Sequence, residues 1–195
     1  MEKLNGKKKI NVAVFISGRG TNLKSIISLS KNKNSKYVVK LVICNNKYAK
    51  GLKLAKKNKI RFAIINYENK KIAEKNILLI LKEKNIDLIC LAGFMKILSK
   101  KFVNSFKNRI LNIHPSLLPK YKGLNTHKKV ILNKDKFTGC TVHIVNSKLD
   151  SGKIILQKKI KVLIKDNEKT LAKRLLKIEN KIYPKAIMKF ISVNL

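Results

Sequence analysis

Asn112 and His114 are separated by one residue in the run Leu111-Asn112-Ile113-His114-Pro115-Ser116-Leu117-Leu118-Pro119. If Arg109–Ile113 is a strand that runs on into His114, the two side chains project to the same side, because strand side chains alternate. An amide donor beside an imidazole at a strand end is suited to binding an oxyanion and moving a proton. The alternative is a buried histidine satisfied by backbone. Pro115 and Pro119 would stiffen the loop that follows. A second candidate is Ser17-Gly18-Arg19-Gly20-Thr21-Asn22. A glycine loop between a strand and a helix presents backbone N–H groups at the positive end of the helix dipole, which suits a phosphate. It is neither a GxGxxG fingerprint nor a Walker loop, and it reads equally as a tight turn with Thr21 as helix N-cap. The third is Asp150, within Lys148-Leu149-Asp150-Ser151-Gly152. It is either a turn residue or, if it reaches His114, the group that orients that ring and stabilises imidazolium. With ten acidic residues in 195, an acid inside a motif stands out from background. His143 lies in an apolar strand pattern and reads as structural or as a support for the catalytic groups, whereas His127 either touches substrate or caps the helix that follows.

The elements that must position these groups alternate between strand and helix. Asn11–Ile16, Tyr37–Cys44, Arg61–Ile65, Asp87–Ala92 and Arg109–Ile113 are short apolar or β-branched runs. Helical patterns open at Thr21, cover Ala49–Lys57 and about Asn69 to Lys84, and give a turn at Phe102–Phe106. Such βα units predict an α/β fold with a single doubly wound, mostly parallel sheet. Ligands of open α/β sheets bind at the C-terminal ends of the strands, where these motifs fall. Thr141–Val145 and Lys153–Val162 are expected as antiparallel additions. A last helix starts near Asn167 with Leu171, Leu175, Ile178 and Ile182 on its inner face, and Pro184 is expected to kink or end it. There is no repeat, linker or composition break, so one domain over residues 1–195 is expected.

Bulk properties exclude several classes. A hydrophobic fraction of 45% is too high for a disordered tail, and no apolar run approaches the ~20 residues of a membrane span. The charged N-terminus lacks the apolar segment of a secretory leader. Cys44, Cys90 and Cys140 are widely spaced within apolar stretches, which reads as reduced, buried thiols of a cytoplasmic protein with no metal site. The net charge of +36 invites a nucleic-acid reading. The lysines are spread along the whole chain, however, and abundant Asn and Ile point to compositional drift. The field would still attract small anions.

Taken together the motifs resemble the phosphoribosylglycinamide formyltransferases, folate-dependent enzymes of purine synthesis. The resemblance runs from about Asn11 to Pro184 and is carried by Ile16–Leu23, Leu91–Leu98, Asn112–Pro119, and Leu149–Gly152 leading into Ile154–Gln157. It implies a Rossmann-like formyltransferase fold and transfer of a formyl group from 10-formyltetrahydrofolate, as co-substrate, to the amine of 5'-phosphoribosylglycinamide, with no metal. It implies Asn112, His114 and Asp150 as the catalytic trio. Gly20, Thr21, Asn22 and Glu179 would bind the phosphoribosyl substrate. Lys70, Met95, Lys96, Ile97, Leu98 and Asn112 would face the folate, with Val145–Asp150 closing over the pterin.

Lys70 stands where the family often has an Arg, which keeps the charge and loses bidentate geometry. Arg19 fills the variable position of the glycine loop and the chain stops soon after Pro184. Related readings are a methionyl-tRNA formyltransferase, whose C-terminal tRNA domain would have no room here, and a formyltetrahydrofolate deformylase, whose N-terminal regulatory domain would be missing. A reading from another class is a basic nucleic-acid-binding protein on the same scaffold. The expected partners are small anionic substrates, with the chain a monomer or homodimer.

Overall fold

The computed structural model describes residues 9–195; the rest of the charged N-terminal stretch lies outside the described residues. Seven strands, β1 (Ile10–Ile16), β2 (Tyr37–Cys44), β3 (Arg61–Ile64), β4 (Leu88–Leu91), β5 (Ile110–His114), β6 (Phe137–Ile144) and β7 (Ile154–Lys161), form one sheet in the order β3-β2-β1-β4-β5-β6-β7. The pairings from β3 across to β5 are parallel, and β6 and β7 are antiparallel. The helices are α1 (Thr21–Ser30), α2 (Gly51–Lys57), α3 (Lys70–Glu83), α4 (Lys100–Ser105), α5 (Thr126–Leu132) and α6 (Glu168–Asn194).

Side-chain alternation divides the core into two layers. Val12, Val14 and Ile16 of β1 pack with Leu23, Ile26 and the inner face of α6, whereas Ala13 and Phe15 pack with Ile77 and Leu81 of α3 and Phe102 of α4. Strands covered on both faces carry continuous apolar sequence, as β1 and β4 do. The connections run outward from β1 to β2 and β3, then return to β4 on the other side. The crevice between the ends of β1 and β4 is therefore the topological switch point, where α/β sheets bind ligands.

The expected doubly wound sheet with antiparallel additions is present. Three details differ. β6 begins at Phe137 rather than Thr141, because Phe137–Cys140 pair with Lys158–Lys161 of β7. Gly139 weakened the strand signal there; a Cβ at that position would stand 2.2 Å from the Lys158 carbonyl oxygen. Thr21 is the first helical residue of α1 and not its cap; the N-cap is Gly20, at φ 76°, which supplies no side-chain acceptor. Pro184 lies inside α6, which continues to Asn194. An interior proline costs about 3 kcal/mol, while each large apolar side chain buried beyond it contributes about 1.5–3 kcal/mol. Ile187, Phe190 and Ile191 are all buried, so packing wins. The helix starts where expected, through a reciprocal cap between Asn167 and Thr170.

Few of the 46 lysine and arginine side chains are paired with opposite charge. Among the described residues three lysine or arginine side chains pair with carboxylates: Lys84 with Glu83, Lys120 with Asp135 and Arg174 with Asp166. Self-repulsion of the folded state should therefore be strong at low salt. Raising ionic strength from about 10 mM to about 150 mM shortens the Debye length from roughly 30 Å to roughly 8 Å. The melting temperature is expected to climb over that range, and a flat profile in a salt-dependent thermal melt would refute the repulsion.

Candidate active site

β5 carries Asn112 and His114 on one side, together with Ile110, as alternation requires. The antiparallel register of β6 places His143 opposite Asn112 and Thr141 opposite His114. Thr141 is the post for the Pro115–Pro119 loop. Its hydroxyl donates to the Ser116 carbonyl at 2.7 Å and accepts from the Leu118 N–H at 3.1 Å and the Gln157 amide at 2.8 Å. Ser116 in turn donates to the Lys120 carbonyl at 2.6 Å. The loop is thus held by tertiary hydrogen bonds in addition to its prolines.

Asp150 arrives from the β6–β7 connection. The Ile144 N–H donates to the Lys153 carbonyl at 2.9 Å and closes that loop. A Cβ on Gly152 would stand 1.7 Å from the Ile144 carbonyl oxygen, so only glycine lets the chain turn back here. Asp150 itself sits at φ 45°, a left-handed conformation that Asp tolerates better than most residues. Its carboxylate is 8% exposed and lies between two imidazoles. His114 Nδ1 is 3.4 Å from Oδ2, and His143 Nε2 is 3.6 Å from Oδ1. The Gly123 N–H also donates to Oδ2, at 2.9 Å. Burial pushes the Asp150 carboxyl upward, but His143, the Gly123 N–H and His114 outweigh it and hold the group below its ordinary value. It is an ionised carboxylate at neutral pH.

The hydrogen bonds fix which nitrogen carries which hydrogen. The Tyr121 carbonyl only accepts, so His114 Nε2, 2.8 Å away, is the donor to it. A second hydrogen on Nδ1 would then point at Asp150, an arrangement that only the imidazolium form provides. His143 Nδ1 likewise donates to the Ile144 carbonyl at 2.9 Å. Its Nε2 is 3.3 Å from the Asn112 amide nitrogen. Asn112, His114 and Asp150 are therefore brought together as a chain in which His143 is the link between Asn112 and Asp150. Of the two roles the sequence allows His143, structural or supporting, the structure places it in contact with Asn112 and Asp150; the legible signal is a polar residue inside an apolar strand. His127, the second residue of α5, keeps a buried Nδ1 without a hydrogen-bond partner among the described residues, and burial lowers its pKa.

The glycine loop lies across the switch point. Gly20 packs on Gly51, the first residue of α2: a Cβ on Gly20 would stand 2.8 Å from the Gly51 Cα. The Gly51 N–H donates to the Gly18 carbonyl at 3.0 Å. Asn22, buried in the first turn of α1, donates from its amide to Glu179 of α6 at 3.0 Å, across 157 residues of sequence. The Asn22 amide oxygen is buried and has no hydrogen-bond partner among the described residues. Met95 and Ile97 are 65% and 70% exposed, Lys96 is exposed and Leu98 is half-buried, in the segment between β4 and α4. Lys70 is exposed at the start of α3, and the structure gives its side chain no polar contact among the described residues. Nearby, Tyr67 stacks edge-on against Phe94 at 5.6 Å, joining the approach to α3 with the Met95–Leu98 segment.

No group of three or more His, Cys, Asp or Glu among the described residues has a metal-holding arrangement. Cys44, Cys90 and Cys140 are buried free thiols. A cleft of about 640 Å³ opens at the other end of the sheet, lined by Asn11, Lys40, Lys59, Arg61 and Lys84 among others. It faces the start of β2 and β3, away from the C-terminal strand ends, and its one acid, Glu83, pairs with Lys84.

An Asn–His–Asp constellation at the end of β5, beside a glycine loop at the switch point of a sheet with an antiparallel edge, defines a formyl-transfer class of α/β protein. The chain belongs to the formyl transferase family, whose sequence profile matches residues 10–187. It is 42% identical over 182 residues to the phosphoribosylglycinamide formyltransferase of Haemophilus influenzae, covering 92% of this chain and 86% of that protein. It is 43% identical over 184 residues to the human trifunctional purine biosynthetic protein adenosine-3, covering 93% of this chain. The chain spans 18% of the length of that human relative. The crystal structure of phosphoribosylglycinamide formyltransferase from Brucella melitensis superposes with a TM-score of 0.91 at 37% identity, covering 96% of this chain and 98% of that one.

The buried Glu179 gives a test of site electrostatics. Burial is the larger effect and raises its carboxyl above the ordinary range, against the bond from Asn22. A carboxyl with a raised folded pKa favours folding while protonated, and that contribution is lost as pH rises through the folded value. Glu179→Gln removes the buried charge and keeps an acceptor for Asn22. It is expected to raise the melting temperature at neutral pH by about 2–4 °C for each kcal/mol of desolvation relieved. The gain should vanish below about pH 4, where the carboxyl is protonated in both states. Melts of the two proteins across that range check it, and an equal or lower midpoint for the variant at neutral pH would contradict the assignment.

Proposed function

We propose that this chain transfers the formyl group of 10-formyltetrahydrofolate to the amine of 5'-phosphoribosylglycinamide, as a single formyl-transfer domain acting in the cytoplasm. The observation that carries this reading is the buried run Asn112–His143–Asp150–His114 placed beside the glycine loop at the switch point. The reduced state of the three buried thiols fits the proposed compartment. No described helix is long and apolar enough to cross a membrane.

In this reading Gly20 and Thr21 present the N–H groups of α1 to the phosphate, where the helix dipole favours negative charge. Asn22 and Glu179 meet the rest of that substrate. The exposed apolar side chains of Met95 and Ile97 and the half-buried Leu98, with Lys96 beside them, line the folate pocket, and Lys70 offers a cation to the folate tail. The unprotonated amine attacks the formyl carbon and the carbonyl becomes a tetrahedral oxyanion. The Asn112 amide donates to it, and so does the imidazolium of His114 through Nε2, whose hydrogen must leave the Tyr121 carbonyl to do so while Nδ1 faces Asp150. Asp150 stabilises the imidazolium. The bond from the formyl carbon to the folate nitrogen then breaks. That nitrogen takes up a proton equivalent to the one the amine loses, and tetrahydrofolate leaves.

The test is steady-state transfer between the two substrates, followed by folate absorbance. His114→Ala and Asp150→Asn are each expected to lower kcat by about 10²–10⁴-fold, the usual worth of a positioned acid–base group. Near-normal turnover in either variant would remove it from the catalytic role. Folate consumption without the amine substrate would instead mark a hydrolase.

A further inference from the structure

Ser17 is the first residue after β1 and three chain segments meet on it. Its N–H donates to the Gly93 carbonyl at 3.1 Å. Its hydroxyl donates to the Asn45 side-chain oxygen at 2.5 Å and accepts from the Met95 N–H at 2.8 Å. Its carbonyl accepts from the Asn46 amide at 3.3 Å. The segment after β4 thus closes around Ser17 in a two-point clasp, one point made by backbone and the other by the hydroxyl. The far end of the same segment is pinned separately, where Ser99 donates its N–H to Glu74 at 2.7 Å and its hydroxyl to the same carboxylate. Between these anchors the Met95 and Ile97 side chains stand free.

The other half of the site does not depend on that hydroxyl. The glycine loop is held by the Gly51 N–H on the Gly18 carbonyl and by the close approach of Gly20 to Gly51. Removing the Ser17 hydroxyl therefore releases the Met95 end of one segment and leaves the anion loop anchored.

We propose that the Ser17 hydroxyl is a positioning group for the folate half of the site, setting where Met95–Leu98 stand relative to the glycine loop. Ser17 touches neither reacting atom, and this role rests on the folate reading given above. Asn45 orients the hydroxyl by accepting its hydrogen, which leaves a lone pair for the Met95 N–H. The signature is selective: one co-substrate loses affinity while the other substrate and the chemical step do not.

The experiment compares wild type, Ser17→Ala and Ser17→Thr in steady-state assays of both substrates, with calorimetric binding of tetrahydrofolate alongside. Ser17→Ala is expected to raise the KM for 10-formyltetrahydrofolate and the Kd for tetrahydrofolate about fivefold, the fold-change that matches one net hydrogen bond. The KM for phosphoribosylglycinamide, kcat at saturating folate and the melting temperature should stay at wild-type values. Ser17→Thr, which keeps the hydroxyl, should restore folate affinity. A Ser17→Ala protein with wild-type folate affinity, a parallel rise in both KM values, or a Thr variant as impaired as Ala would overturn the role. Those results would leave the functional reading intact, because wild type would still transfer the formyl group. A wild-type protein that binds tetrahydrofolate without transferring a formyl group would defeat the functional reading, while calorimetry would still decide on Ser17. No folate binding by wild type would overturn both.

Discussion

The buried carboxylate of Asp150 is the constraint around which the C-terminal half of the molecule is arranged. An ionised carboxylate is tolerated away from water only when charge and donors surround it. Here the Gly123 N–H donates to it, and His114 Nδ1 and His143 Nε2 flank it at 3.4 Å and 3.6 Å, from the loop after Pro119, β5 and β6. His143 and Asp150 itself depend on the antiparallel edge of the sheet. β6 must lie beside β5 to bring His143 in, and β7 must return beside β6 to close the loop that carries Asp150. Gly152 permits that closure because no side chain fits against the Ile144 carbonyl.

The N-terminal half meets a different constraint at the same crevice. β1 lies between β2 and β4, so its C-terminal end is flanked by two connections that leave in opposite directions. The glycine loop fills the space on one side by packing on Gly51, and Ser17 ties it to the segment on the other. Helix α6 joins the halves. Tyr183 donates its hydroxyl to the carbonyls of Leu91 at 3.0 Å and Leu111 at 2.9 Å, bridging the ends of β4 and β5. One turn earlier Glu179 meets Asn22 of α1. The turns of α6 before Pro184 therefore serve the site, and those after it serve the core.

Charge acts at two ranges. The excess of lysine sets up a long-range positive field that favours the approach of small anions, and salt screens it. Within the site the signs are reversed: the groups that matter are buried carboxylates, Asp150 held ionised by its partners and Glu179 pushed toward neutrality by burial. Acids are scarce in this chain, yet two of them occupy buried positions at the site, where their surroundings drive them in opposite directions.

Local sequence was enough for the parallel strands, the glycine loop, the start of α6 and the pairing of Asn112 with His114 on one strand face, because each follows from periodicity or turn chemistry over a few residues. It was also enough to single out Asp150 as an acid in a motif. The tertiary structure alone decided that His143 stands between Asn112 and Asp150, since cross-strand neighbours depend on register and not on sequence distance. It decided that Asn22 and Glu179 meet, and that Gly51, far from any motif, is the floor of the glycine loop. It also carried α6 past Pro184, where burial of the following turns outweighed a local preference. Contacts across such separations reflect packing of the whole sheet, and no window along the chain contains them.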